Sequence, residues 1–127
     1  MTGDVLVVED DQDLREVTEL ILRDAGYPVR TVSNGAQALE AAAQALPQLV
    51  LLDMVMPVMD GWTCARLLRQ RYGHAVKIVV MTAADHAGKR ALEVDADDVL
   101  PKPFGLEQLL ATAHRYVRTT EQDAAAP

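Results

Sequence analysis

What this chain has little of already removes several classes of function. A single cysteine, Cys64, excludes an internal disulfide. The three histidines, His74, His86 and His114, are scattered without metal-ligand spacing and read as surface residues, so a zinc centre is not expected. Positive charge is in deficit: 12 Lys and Arg stand against 19 Asp and Glu, for a net charge of -7. That balance argues against direct binding of nucleic acid or of an anionic membrane, and favours proteins or cations as partners. No apolar run is long enough to span a bilayer, and nothing has the layout of a signal peptide. A cytoplasmic setting is expected.

What is present is a core. Half of the 127 residues are hydrophobic and 24% are charged, the balance of one ordinary folded domain. Val5 to Val8, Leu49 to Leu52 and Ile78 to Met81 are continuous apolar runs rich in β-branched residues, as parallel strands buried on both faces require. Val29 to Val32 alternates apolar with polar, and Val99-Leu100 is short and follows two acids, so these two read as edge strands. Between them the period becomes helical. Leu14, Val17 and Ile21 share a face, as do Leu39, Ala42, Ala43 and Leu46, and then Cys64, Leu67 and Leu68. Ala87, Ala91 and Val94 mark a fourth helix, and Leu106, Leu109, Leu110, Ala113 and Val117 a fifth. Five strand-helix units predict an α/β fold with a parallel sheet covered by helices on both faces. Residues 1–118 form this domain; 119–127 lack the pattern and read as a frayed end or the start of a linker.

Ligands of such sheets bind beyond the carboxyl ends of the strands, where neighbouring connections diverge. Past the first strand stand Glu9, Asp10 and Asp11; past the third, Asp53; past the fourth, Thr82; past the fifth, Lys102. Bare carboxylates crowded together repel by roughly 1 to 4 kcal/mol per pair at about 4 Å, and a cation removes that cost. Oxygen ligands with room for water suit Mg²⁺, or Mn²⁺, better than zinc. A divalent ion beside a carboxylate, a hydroxyl and a lysine is equipment for phosphoryl chemistry. Plainer readings exist for several of these residues. Asp11 and Asp13 are expected to cap the first helix. Asp60-Gly61 reads as a turn into the third, Trp62 as partly buried, and Cys64 as a small core residue.

Four stretches, "VLVVEDD", "VLLDMVMPVMDG", "VVMTA" and "ADDVLPKPF", occur in order with consistent spacing. Together they resemble the receiver domain of two-component response regulators, from Asp4 to about Arg118. The resemblance implies a flavodoxin-like, doubly wound sheet in the order 2-1-3-4-5. It implies that Asp53 accepts a phosphoryl group from a sensor histidine kinase or phosphotransfer protein. Asp10, Asp53 and the carbonyl of Val55 would ligate Mg²⁺, with Glu9 acting through water. Lys102 would contact the phosphoryl group, Thr82 would swing toward it, and the peptide before Pro103 would be cis. The output would be a changed surface on helix four, strand five and helix five, read by a downstream protein or an output domain. The chain would then be a phosphoacceptor that assists its own phosphorylation and dephosphorylation, not an enzyme.

The departures are informative too. Val99 stands where the family usually has an aromatic ring that moves with the hydroxyl, and Thr112 where one transcription-factor subfamily carries an interface arginine. A phosphatase resembling the haloacid dehalogenases would need a second acid two residues after Asp53, where this chain has Val55. A receiver-like module without phosphorylation would typically lack Asp53, Lys102 or the acid pair, and all are present. A nucleotide-binding protein would need glycines after the first strand, where "EDDQD" stands. Finally, Val55 and Ala84, two residues after the phosphoacceptor and the switch hydroxyl, offer no hydrogen bond to a hydrolytic water, which favours a long-lived phosphoryl group.

Overall fold

In the computed structural model, which describes residues 4–56, 58–83 and 94–117, five strands form one parallel sheet in the order β2-β1-β3-β4-β5. They are β1 (Val5–Val8), β2 (Val29–Val32), β3 (Leu49–Asp53), β4 (Lys77–Ala83) and β5 (Asp98–Lys102). The strand order and both edge assignments expected from the sequence are borne out. Continuous apolar runs are needed because alternate residues of each central strand enter different cores. Leu6, Val8, Val50, Leu52, Ile78 and Val80 pack on one face with α2 (Gly35–Gln44) and α3 (Gly61–Tyr72). Val5, Val7, Leu49, Leu51, Val79 and Met81 pack on the other with α1 (Gln12–Asp24) and the last helix, Leu106–Tyr116. Each fully buried leucine contributes on the order of 2 kcal/mol.

The first three helices each follow a strand through a loop, and each start is capped by a side chain that accepts an otherwise orphaned amide. Asp11 takes the amide of Leu14 at 3.1 Å, Asn34 that of Gln37 at 2.9 Å, and Asp60 that of Thr63 at 2.8 Å. Such a cap is worth about 1 kcal/mol. Asp11 is therefore the cap expected of it, whereas Asp13 lies in the first turn of α1. Cys64 is fully buried, and burial, with Asp60 nearby, pushes its thiol up to about 12. Trp62 is half-buried against the α2/α3 core.

Some helix faces differ from their sequence reading. Val17 is 52% exposed, and the buried residues of α1 are Thr18 and Leu22. The stripe runs through a threonine, so counting apolar residues alone sets its phase one residue early. Ala43 and Leu46 are exposed, and Leu46 lies past the end of α2. Strands β4 and β5 run longer than their apolar runs and end on Ala83 and Lys102. Pro101 is tolerated inside β5 because that strand pairs only with β4. The fourth helix read at Ala87, Ala91 and Val94 lies outside the described residues except for Val94, which is buried. So do His86 and residues 119–127.

An ion pair fixes the entry to β5. Arg69 of α3 reaches Asp97 at 2.6 Å and also donates to the carbonyls of Gly73 and Val76, at 3.0 and 2.7 Å. The same Asp97 oxygen accepts the amide of Ile78 at 2.8 Å. Burial pushes the Asp97 carboxyl up, but the Ile78 amide and Arg69 outweigh it and hold it below its ordinary 3.8. A depressed acid contributes stability that is present above its unfolded value and lost as pH falls through the folded one. Asp97→Asn is therefore expected to lower stability at neutral pH by about 3 kcal/mol. It is also expected to flatten the loss of stability below pH 3.8, read by denaturant titrations across that range. An acid limb identical to wild type would contradict this role.

Candidate functional site

The sheet reverses its winding between β1 and β3: α1 leaves β1 toward one face and α2 covers the other. The crevice therefore opens above the carboxyl ends of these two strands, and both ends carry acids. Register sets the rest. Val8 lies opposite Leu52, so Glu9 and Asp53 emerge side by side; Asp53 lies opposite Met81, and Ala83 opposite Lys102. Glu9, Asp10, Asp53, Val55, Thr82 and Lys102 all line one open cleft of about 430 Å³, together with Asp11 and Ala83. Every candidate site residue from the sequence thus comes together. Thr82 is the penultimate residue of β4 and Lys102 the last of β5, so neither follows its strand.

Two of the acids are out of water. Glu9 is 1% exposed and Asp53 5%, whereas Asp10 is exposed. A buried charge is tolerated only when paired, and one cation serves both. The Lys102 ammonium donates to Glu9 Oε1 at 2.8 Å and to Asp53 Oδ1 at 3.2 Å. Asp53 Oδ1 also accepts from the Val55 amide at 3.4 Å, and Glu9 Oε2 from the Asp11 amide at 3.3 Å. Burial is the main reason that the Glu9 carboxyl is pushed up, to about 7, with Asp53 adding to it and Lys102 opposing. Burial works against the Lys102 charge, yet Glu9 and Asp53 together hold its ammonium above its ordinary value. The Lys102-Pro103 peptide is cis.

The donor set suits a hard cation. One carboxylate oxygen from each of Glu9, Asp10 and Asp53 lies within 4.8 Å of the others, a spacing that a single small ion can bridge. His74 and His114 are exposed and away from this cluster. One contributor escaped the sequence reading. Arg15 of α1 donates from Nη1 to the carbonyl of Glu9 at 2.9 Å and reaches that of Asp10 at 3.5 Å, pinning the loop that carries the acid pair. Its only signal was a spacing of one and a half turns from the acids, which many surface arginines share.

Fold and site together define a flavodoxin-like α/β protein with an acidic, lysine-bridged cleft at its topological switch point. The chain belongs to the response regulator receiver domain family, whose model matches residues 5–114. It is a receiver domain of a two-component response regulator, and so a signalling domain. It is 41% identical over 124 residues to response regulator MprA of Mycobacterium leprae, covering 96% of this chain and 54% of that protein. The chain spans about half the length of the curated relatives it matches. Among solved structures it resembles chemotaxis protein CheY4 of Vibrio cholerae, at 31% identity and TM-score 0.82, over 91% of this chain and 99% of that one. The receiver domain of sensor histidine kinase PA1611 from Pseudomonas aeruginosa, solved with magnesium coordinated in its active site cleft, matches at 32% identity and TM-score 0.82. That match covers 91% of this chain and 98% of the other. No helix among the described residues is long and apolar enough to cross a membrane.

The raised Glu9 carboxyl has a thermodynamic signature. An acid whose folded value exceeds its unfolded one stabilises the fold while protonated, and that stability is lost as pH rises from 4.5 through about 7. In chelator, the melting midpoint of wild type is expected to fall across this window relative to Glu9→Gln, which keeps the acceptor for Lys102 but cannot ionise. Parallel curves for the two proteins would contradict the assignment.

Proposed function

We propose that the chain takes a phosphoryl group onto Asp53 from the phosphohistidine of a sensor kinase or phosphotransfer protein. The observation that carries this reading is the shared cleft, in which a buried Asp53 stands with Thr82, the Glu9/Asp10 pair and a lysine already bridging two of the acids. A carboxylate oxygen of Asp53 attacks phosphorus in line with the departing imidazole nitrogen. Lys102, whose ammonium is kept charged by its acidic neighbours, balances the oxygens of the transferring group. Thr82, 8% exposed on β4, supplies a hydroxyl beside the same oxygens. Glu9, Asp10, Asp53 and the carbonyl of Val55 are the groups that would hold Mg²⁺, or Mn²⁺. When bound, the ion neutralises charge on the acids and on the phosphoryl oxygens.

The donor needs a surface to dock on, and α1, which follows the acid pair, offers one. Val17 and Leu20 of α1 are 52% and 69% exposed, a combination that suits a docking partner better than a solvated helix face. We place the exchange in the cytoplasm. The readout falls on strand β5 and the last helix, which Asp98 ties together by accepting from Arg115 at 3.1 Å and from the Tyr116 hydroxyl at 2.9 Å. With Val99 in place of a ring, the shift of Thr82 would carry the signal to that face. The relatives' additional length accommodates an output domain, which is the recipient we assign for the longer proteins of this kind.

Incubation with acetyl phosphate and Mg²⁺ is expected to add one phosphoryl group to wild type and none to Asp53→Asn, read by intact mass. Equal labelling of the variant, or none of wild type, would refute the assignment.

The phosphoryl group is expected to persist. Hydrolysis needs a water held in line, and the side chain of Val55, a residue 74% exposed at the mouth of the cleft, cannot hydrogen-bond one. Ala84, its counterpart in the sequence reading, lies outside the described residues. Val55→Asn is expected to speed loss of phosphate severalfold on a phosphate-affinity gel. Unchanged decay would show that water is positioned by other groups.

A further inference from the structure

Glycine opens α3, and the reason is contact rather than conformation. Gly73, just past the other end of that helix, sits at φ +59° with nothing within 4 Å of where a Cβ would be, so its backbone angle is what requires glycine. Gly61 is the reverse case: it lies within the helix, at angles that any residue adopts. A Cβ there would stand 2.6 Å from Met54 Cα, 2.7 Å from the carbonyl oxygen of Asp53 and 2.8 Å from Met54 Sδ. Two of those atoms are backbone and cannot yield without carrying Asp53 with them. The Gly61 amide donates to the Met54 carbonyl at 3.0 Å, while the Met54 amide donates to Met81 of β4 at 3.3 Å. The backbone at Asp53 and Met54 is thus gripped between β4 and the first turn of α3, and the next residue, Val55, lines the cleft. The same loop is crowded further on. A Cβ on Gly35, which opens α2, would stand 3.0 Å from Met59 Cβ, Cγ and carbonyl oxygen.

We infer that Gly61 is a positioning residue for the phosphoryl site. Its bare Cα lets α3 lie directly on the Asp53–Met54 backbone and so fixes where the Asp53 carboxylate and the Val55 carbonyl stand. The inference rests on the proposed role of those two groups in phosphoryl transfer and metal binding. It also changes the reading of Asp60-Gly61. Asp60 is the cap of a helix, but Gly61 belongs to the geometry of the site. A misplacement on the order of 1 Å costs about 100-fold in rate at such centres, so a single methyl group is a sensitive probe.

The test compares wild type, Gly61→Ala, Met54→Ala/Gly61→Ala and Leu67→Ala, a half-buried position further along the same helix. Magnesium affinity is measured by calorimetric titration, and labelling by acetyl phosphate at saturating Mg²⁺ by intact mass. Circular dichroism and thermal melting report the fold. Gly61→Ala is expected to melt cooperatively, with Mg²⁺ affinity lowered about tenfold and labelling slowed about tenfold or more. Leu67→Ala is expected to lower the melting midpoint while keeping both. The double variant removes the clash with Met54 Sδ at the cost of a buried core side chain, keeps both backbone clashes, and is expected to stay impaired. Recovery in the double variant would overturn the inference, because packing of the Met54 side chain would then be the whole effect. Wild-type affinity and rate in Gly61→Ala would overturn it too. If neither glycine variant folds, it is likewise overturned, since Gly61 would serve the fold and not the site. A wild type that neither binds Mg²⁺ nor takes the phosphoryl group would instead bring down the functional reading, and the inference with it.

Discussion

Everything at the mouth of the sheet depends on one charge, the Lys102 ammonium held between Glu9 and Asp53. Two nearly inaccessible carboxylates could not stand together at the edge of an apolar core without it, because each ion out of water costs several kcal/mol unless compensated. Lysine suits the task better than arginine would. A compact ammonium on a flexible stem can serve two acids from the end of an edge strand and still be drawn elsewhere when another cation or an anionic group arrives.

The sheet delivers that lysine across most of its width. Lys102 ends β5, Asp53 ends β3 and Glu9 follows β1, so the pairing spans 93 residues of sequence and is created by strand register alone. The cores on the two faces hold the register, since a slip of one residue would exchange the residues assigned to each core. Arg69 and Asp97 fix where β5 begins, and Arg15 fixes the loop after β1. Arg69, Asp97 and Arg15, which hold these positions, do not themselves line the cleft, so variants can separate their role from that of the acids and the lysine.

Much of this was legible in the sequence because its signals are local. Continuous apolar runs announce central strands, and an acid or hydroxyl at the end of each run follows from where α/β sheets bind ligands. Four motifs in order then identify the family. Less legible were features created by three-dimensional neighbours. Thr18 takes a core position on α1 and leaves Val17 outside, which no hydropathy count would show. Pro101 and Lys102 extend β5 past its apolar residues because an edge strand needs hydrogen bonds on one side only. Gly61 reads as turn chemistry until the backbone it touches is known. The distinction between Glu9 and Asp10, one buried on the lysine and one exposed, is likewise a matter of tertiary position and not of residue type.

If Lys102 is the cation that holds the acid pair together, another cation should be able to take its place. The decisive measurement is the melting midpoint of Lys102→Met at pH 8, above the wild-type Glu9 value of about 7, in chelator and again in millimolar Mg²⁺. In chelator the variant should melt below wild type by on the order of 5 °C, and Mg²⁺ should return most of that difference. A variant as stable as wild type in chelator, or a deficit that Mg²⁺ leaves untouched, would contradict the account.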